Sequence, residues 1–323
     1  MRSDLLSTRV YIAQNGKDYR TPATVDKKSI TNFFSEQGYT PLEIDQKYRH
    51  AHGRLRKDKK LFFFKMASTD TISDLTRNEA VWNTKVEVAI QEAKLSDFAV
   101  LPIYATGYFD RKFYFITEYY NGPFLAHKYP PEQKDLPAWI DRIVRVNLFL
   151  SSCNISGLPR DNEEFLNMKN INEEFYNKDK ILLPDLTEFQ LEDILSEEKL
   201  LSKNPSIGLT HGDFVPWHMI GSDKKFILID AELGSSKMPK YHDVAYFYER
   251  VYTGAESPDI AKSYLAKIRA TLLAQEKDIF DQTIRPLIAS RIIWGFWRAK
   301  NYRKQNFNLH FRLKDDFIRN NLF

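Results

Sequence analysis

Residues 210–232 read THGDFVPWHMIGSDKKFILIDAE and gather chemically capable side chains into one short stretch. His211, Gly212 and Asp213 form a sharp-turn triplet, and His218 follows Asp213 by five residues. A polar turn at 221–225 leads into the apolar run 226–229, which stops at Asp230, with Glu232 two residues on. An apolar β-type run closed by an acid, just after a loop holding another acid, predicts a hairpin with both carboxylates at one open end. Two carboxylates with a metal-capable residue between them are suited to holding a divalent cation and a phosphate while a hydroxyl attacks. Asp213 suits the role of orienting that hydroxyl and accepting its proton, because a side chain after a glycine turn can project into a cleft. Asp230 suits the metal because a strand end fixes its position. Taken singly, Asp213 could cap a turn and Asp230 could close a strand; their occurrence together favours the chemical role.

Such chemistry also needs a cation to grip the phosphates that are not transferred. Residues 47–55 and 61–66 read as two strands around the basic turn 56–60, and the run LFFFKMA is apolar except for Lys65. A cation in a buried strand is costly unless it is paired or serves a ligand. The plainer alternative is an edge-strand lysine whose amine reaches water. A long helical pattern starts at Ser73 or Asp74 and runs to about residue 95, with Glu79, Trp82, Val86, Ala89 and Ile90 spaced for one face. Glu79 is the acid best placed to meet Lys65, and Glu87 is its rival. Residues 103–109 and 113–120 form a second hairpin, ending at Asn121, Gly122 and Pro123. That Gly-Pro sets the expected boundary between residues 1–120, mainly strand with one long helix, and residues 121–323, mainly helix.

The remaining stretches fill in this frame. Asn15-Gly16 predicts a short hairpin over residues 9–20. Residues 29–37 suit a helix that starts from a Ser or Thr cap and ends at Gly38, and residues 135–152 suit an amphipathic one. Residues 160–199 carry twelve acids against five bases and read as helical with an acidic face, a solvated surface by default and a lining for a cationic substrate on the sharper reading. A helix is expected from about residue 239 to 252, with Asp243 near its start. Residues 285–323 carry nine bases against two acids, interleaved with Trp294, Phe296 and Trp297. A helix face docked on the core through Ile292, Ile293, Phe296 and Trp297 is favoured there over a nucleic-acid contact.

Composition narrows the class. An apolar fraction of 43% over 323 residues supplies a core for one large domain or two lobes. A net charge of +4 is small for this length and does not demand a nucleic-acid partner. The single cysteine, Cys153, excludes an internal disulfide framework and reads as a small apolar filler. The N-terminal residues have no apolar leader core, and no run of about 18 apolar residues occurs, so a cytoplasmic protein without a membrane partner is expected.

HGDFVPWHMI followed by FILIDAE resembles the signature of the aminoglycoside phosphotransferase and choline kinase group, small-molecule kinases whose catalytic loop reads HGDxxxxN and whose metal-binding strand end reads IDxE or IDxD. FFFKM resembles the family's nucleotide-binding strand, RNEAVW the start of the helix supplying the partner glutamate, FITEYYNGP the hinge, and PKYHDVAYF the segment whose buried aspartate braces the catalytic loop. The resemblance implies an α+β, protein-kinase-like two-lobed fold with a mainly antiparallel-sheet N-lobe and a mainly helical C-lobe. It implies ATP and Mg2+ as cofactors, and transfer of the γ-phosphate to a hydroxyl of a small molecule. By the same resemblance Asp213 is the catalytic acid–base and His211 its buttress, Lys65 contacts the phosphates with Glu79 as its partner, and Glu118, Tyr119 and Tyr120 present backbone groups to adenine. Asp230 is the principal metal ligand, with Glu232 assisting near the metal or the substrate. Such enzymes insert acceptor-binding helices at about residues 155–205, so the acidic stretch there suggests an amino sugar or amino alcohol. Two departures stand out: His218 replaces the family's asparagine, a softer ligand for magnesium, and no Gly-rich phosphate loop is present, the expected first hairpin offering only His52 and Gly53. The alternative reading is a catalytically weak pseudokinase or binding module whose basic, aromatic C-terminus contacts nucleic acid or a protein.

Overall fold

In the computed structural model, which describes residues 17–19, 21–128, 131–132, 136–162, 176–177, 179–201, 205–222, 225–302 and 307–323, the alternating runs of the first third build an antiparallel sheet. Helix α1 (Lys27–Glu36) precedes strands β1 (Thr40–Lys47), β2 (His50–Lys57) and β3 (Lys60–Ala67). Helix α2 (Asp70–Glu92), then β4 (Phe98–Val100), β5 (Ile103–Phe109) and β6 (Lys112–Glu118) follow. The sheet order is β1-β2-β3-β6-β5. Its tight connections use residues of positive φ, Asp58 and Lys59 at 49° and 67°, Asp110 and Arg111 at 46° and 63°. Two consecutive left-handed residues match the twist of the strands they join. The hairpin expected over residues 9–20 lies almost wholly outside the described residues.

Three expectations are corrected here. Helix α1 is capped by Asp26, whose side chain accepts from the Lys28 N–H, and not by a Ser or Thr; it does end before Gly38, at φ +80°. Helix α2 starts ahead of residue 73, because the Thr69 hydroxyl accepts from the Ile72 N–H and sets the first turn. Gly53 belongs to no hairpin turn but to the middle of β2, opposite Ile44 and Phe64. A Cβ there would fall 1.9 Å from the Glu43 carbonyl oxygen, so the close approach of β1 requires glycine.

The described residues group into two compact units. The first takes Met1–Pro123 with Ile155–Phe165 and Ser222–Gly234. In it Ile30 and Phe34 of α1 pack on Leu55, Phe62 and Phe64 of the sheet, while the buried face of α2 includes Ile72, Leu75, Trp82 and Val86. The short strand Phe226–Leu228 pairs parallel with β4, which brings the residues just after it to this unit.

The second unit takes Phe124–Asn154, Leu166–Gly221 and Ser235–Phe323. It holds helix α3 (Leu136–Ser152), helix α4 (Glu192–Glu198), strand β7 (Ile207–Thr210) paired antiparallel with β8 (Ser235–Pro239), and helices α5 (His242–Glu249), α6 (Pro258–Thr271), α7 (Ala274–Tyr302) and α8 (Phe307–Ile318). Where residues 160–199 were expected to be helical, the described part is α-helical at 176–177, 179–180 and in the seven-residue α4, with short 3₁₀ turns between; Pro184 and the left-handed Gln190 at φ 51° interrupt it. Ile292, Ile293, Phe296 and Trp297 are buried, as the docked-helix reading of the C-terminal segment expects. Its bases Arg285, Arg298 and Lys300 pair with Glu197, Glu249 and Glu188. Cys153 is half-buried, and burial pushes its thiol up to about 11, which suits a filler and not a nucleophile. Among the described residues no helix is long and apolar enough to cross a membrane.

Glu249 is the buried acid of this interior, accepting from Arg298 at 2.7 Å and from the Thr253 hydroxyl at 2.8 Å. Gly295 lets α7 approach it: a Cβ there would lie 2.9 Å from His310 Nδ1 and 3.2 Å from Glu249 Oε1. Burial opposes the Glu249 charge, yet Arg298, Arg250 and Arg291 hold the carboxyl down at about 2, while burial pushes His310 down to about 4. The depressed glutamate contributes stability that is present above its ordinary value of 4.5 and lost as pH falls toward 2. For the histidine, the unfolded chain takes up its proton near 6.5 and the folded chain only near 4, so stability falls over that window. The melting temperature should therefore drop from pH 6.5 downward. His310→Asn should make the fall between pH 6.5 and 4 shallower in a thermal-unfolding series, and an unchanged profile would show that His310 does not titrate as described.

Candidate active site

In the first unit the apolar pattern of β3 buries Lys65, which is 8% exposed, and a buried ammonium must find acids. Its Nζ lies 2.6 Å from Glu79 Oε2 and 2.6 Å from Asp230 Oδ1, with Glu232 Oε2 at 3.6 Å. Glu79, not Glu87, is thus the partner on α2. Burial opposes the charge on Lys65, but Asp230, Glu79 and Glu232 outweigh it and keep the amine protonated. Burial pushes the Glu79 carboxyl upward, against the pull of Lys65.

Glu79 has a second role: its Oε1 accepts the Asp230 N–H at 3.1 Å. Asp230 sits at φ +69°, a left-handed conformation that Asp tolerates better than most residues. The neighbouring Asn78 donates from Nδ2 to the carbonyls of Glu232 and Gly234, at 3.2 and 2.9 Å, and its Oδ1 accepts the Arg160 N–H. Gly234 is required, because a Cβ would fall 2.4 Å from the Trp82 ring. Consecutive residues of α2 therefore fix the acid segment after the strand Phe226–Leu228.

Glu232 is held by basic side chains that spacing along the sequence did not single out. Arg49, at the turn into β2, donates from Nη2 to Glu232 Oε1, and His50 Nε2 lies 3.4 Å from Oε2. Burial, with Lys65 nearby, pushes His50 well below its ordinary value, so the imidazole is neutral there. Only the register of β2 against β3 brings these residues in, which local spacing does not reveal.

In the second unit the loop after β7 is held by one buried acid. Asp243, near the start of α5, accepts the His211 N–H at 2.5 Å and the Gly212 N–H at 3.1 Å. Gly212 lies at φ +81°, where a side chain would be strained. His211 is fully buried, with its Nδ1 3.4 Å from the Asp213 N–H. The Asp213 side chain remains 29% exposed. His218 Nδ1 lies 3.0 Å from the Asp213 carbonyl oxygen, an acceptor, so Nδ1 is the donor of that bond. The bracing aspartate matches the role implied for the PKYHDVAYF segment.

Glu118, Tyr119 and Tyr120 stand at the end of β6. The Tyr119 N–H donates to the Leu61 carbonyl at 3.1 Å and is committed within the sheet, and the Tyr120 hydroxyl hydrogen-bonds the Glu118 side chain.

Oxygen atoms of Glu79, Asp230 and Glu232 all lie within 4.8 Å of one another. These three carboxylates face two permanent cations, Lys65 and Arg49, which leaves one negative charge to be balanced. The donor set is all oxygen, as magnesium prefers, and Asp230 is its exposed member, with a side chain 35% accessible. The residues present therefore fit a hard divalent cation held chiefly through Asp230.

The fold is that of the aminoglycoside phosphotransferases, with an antiparallel-sheet N-lobe and a helical C-terminal region, as the sequence resemblance implied. A thermostable mutant of the aminoglycoside phosphotransferase APH(4)-Ia, in a ternary complex with ADP and hygromycin B, matches 90% of this chain and 98% of its own with a TM-score of 0.61 at 10% identity. ADP-bound APH(2'')-Ib matches over 92% and 98% with a TM-score of 0.53 at 13% identity. Amicoumacin kinase hAmiN, in complex with AMP-PNP, Ca2+ and Ami, matches over 91% and 93% with a TM-score of 0.52 at 10% identity. A scan against protein-family models finds no match, and neither does a search of curated proteins.

Replacing Lys65 tests the cluster directly. Lys65→Met leaves two buried acids and Asp230 without their shared cation, and losing one member of such a buried set costs about 3–5 kcal/mol. Urea unfolding should show a loss of that order, and a loss under about 1 kcal/mol would mean the acids are compensated by other groups.

Proposed function

We propose that this protein is an ATP- and Mg2+-dependent phosphotransferase that moves the γ-phosphoryl group to a hydroxyl of a small molecule. The observation that carries this reading is the buried Lys65 held between Glu79 of α2 and Asp230, in a chain with the fold of small-molecule kinases. When bound, ATP with its metal supplies the transferable group and neutralises phosphate charge. Lys65 grips the phosphates that stay with the nucleotide, and Glu79 keeps its amine in place. Asp230 is the residue to hold the metal, with His218 through Nε2 and Glu232 as further candidates. Asp213 orients the acceptor hydroxyl and takes its proton as the acceptor oxygen bonds to the γ-phosphorus and the bond to the bridging oxygen breaks, releasing ADP. His211 and Asp243 hold the loop that carries Asp213. Adenine recognition falls to the backbone at Glu118 and Tyr120 and not to the committed Tyr119 N–H.

Of the described acids in the stretch that suggests an amino sugar or amino alcohol, Glu192 and Asp193 are exposed and three others are tied within the fold. Glu188 and Glu197 pair with Lys300 and Arg285, and Asp179 is buried, accepting from Ser290 and Trp294.

Asp213→Asn should lower ADP release by about 10²–10⁴-fold, the usual worth of a positioned base, while nucleotide affinity by calorimetry stays within a few-fold. Wild-type turnover in that variant would refute the assignment. For His218, the measurement is the Mg2+ concentration giving half-maximal ADP release. His218→Asn, which offers an oxygen, should lower it and His218→Phe should raise it; identical metal dependence in both would remove His218 from the metal site.

A further inference from the structure

The second unit sets three arginines against one buried glutamate. Arg298 on α7 donates from Nη2 to Glu249 at 2.7 Å. Arg291, seven residues earlier on α7, and Arg250, which opens the π-helical turn Arg250–Gly254 after α5, have no such partner. Among the described residues no carboxylate pairs with either one, and Nε and Nη1 of Arg250 and Nε of Arg291 are buried without a hydrogen bond. Arg250 is only 4% exposed. Arg298, Arg250 and Arg291 all act on the one Glu249 carboxylate, so three guanidiniums share a single negative charge, and the excess of positive charge calls for an anion that comes and goes.

The surroundings of the two side chains are those of a recognition site. The Arg250 guanidinium lies 5.1 Å from the Trp217 ring centroid, and that of Arg291 lies 4.2 Å from the centroid of Tyr246. Stacking on a ring occupies the face of the guanidinium and leaves its in-plane N–H fork for a planar or tetrahedral anion. Glycine at 254 permits the first stack, since a Cβ there would sit 3.1 Å from the Trp217 ring and 3.7 Å from the Arg250 guanidinium carbon. Trp217 belongs to the turn Pro216–His218 that follows Asp213, and Asp213 also acts electrostatically on the buried phenol of Tyr246. Both guanidiniums therefore rest on aromatic residues that belong to, or feel the charge of, the Asp213 loop.

We propose that Arg250 and Arg291 bind an anionic group, a carboxylate or a phosphate, carried by the hydroxyl acceptor. The proposal rests on the phosphotransferase reading and narrows its acceptor to an acid rather than an amine.

The test uses the full chain and its Arg250→Met and Arg291→Met variants. Glycerol 3-phosphate, glycerate, glycerol and 3-aminopropane-1,2-diol share a diol and differ in charge, and ADP release with ATP and Mg2+ scores them. The two anionic acceptors should be preferred by about tenfold or more in kcat/KM, with either variant abolishing the preference through KM. Equal turnover of the neutral or amine acceptor overturns the proposal. Independently, inorganic phosphate and malonate are titrated by calorimetry with AMP-PNP and Mg2+ saturating the nucleotide site. Wild type should bind them and Arg250→Met should bind at least about tenfold more weakly. Absence of anion binding in the wild type overturns the proposal whatever the turnover. Binding without any ADP release, from any acceptor, supports the anion site and counts against the kinase reading instead. Phosphate that binds without competing against glycerol 3-phosphate assigns the site to a free anion and overturns the acceptor role.

Discussion

The buried ammonium of Lys65 is the constraint on which the first unit depends. A lysine 8% exposed in a strand is stable only among acids, and those acids come from chain positions far apart: Glu79 on α2, Asp230 and Glu232 more than 150 residues later. Compensation of one charge therefore ties β3, α2 and the segment after Phe226–Leu228 into a single arrangement. It also gives Glu79 its two roles, since the carboxylate that balances Lys65 also accepts the Asp230 N–H and so holds that residue in its left-handed conformation. Asn78, one residue earlier, extends the same hold to the carbonyls of Glu232 and Gly234.

The second unit solves a similar problem in the same way. Asp243 accepts from two consecutive N–H groups at His211 and Gly212, and Gly212 has the positive φ that lets the turn close. In each unit a buried or nearly buried acid on a helix pins the backbone beside a partly exposed aspartate, Asp230 in one and Asp213 in the other. A backbone fixed by charge-assisted hydrogen bonds costs nothing further to organise when a ligand arrives, which is the advantage of preorganisation for electrostatic work.

Much of this was legible in the sequence, and the reasons are specific. An apolar run interrupted by one lysine, followed by a helical pattern with Glu79 in its first turns, favoured the ion pair on energetic grounds over an edge-strand lysine or a pairing with Glu87. β2, β3, β5 and β6 follow from alternation and turn residues, and the docked face of α7 from the spacing of Ile292, Ile293, Phe296 and Trp297. β1 was not foreseen, because TPLEIDQK is an edge strand with mostly exposed side chains and so lacks an apolar alternation. The acid-rich stretch was legible only in part, with helix at 176–177, 179–180 and in α4. Mixed acids and apolar residues imitate a helix period, but Pro184 and the left-handed Gln190 interrupt the backbone, and Asp179, Glu188 and Glu197 take partners on α7. Arg49 and His50 escaped notice because strand register, not local spacing, carries them to Glu232.

The two units differ in how completely their buried charge is balanced. In the first, the buried Lys65, Glu79 and Glu232 have counter-ions within hydrogen-bonding distance, and their set with Arg49 and the partly exposed Asp230 leaves a single negative charge. In the second, Arg298 bonds Glu249, and two further guanidiniums on aromatic faces share that one carboxylate with no ion pair of their own among the described residues. Folding alone would favour replacing such residues by apolar ones of similar volume, because stacking on a ring does not offset the desolvation of an unpaired charge. Imbalance of this kind persists where a chain gives up stability for a function, and complementarity to a ligand is its commonest physical reason. The cation-rich cluster beside Trp217 and Tyr246 is thus the counterpart of the oxygen cluster at Asp230: one unit keeps an excess of negative charge and the other an excess of positive charge.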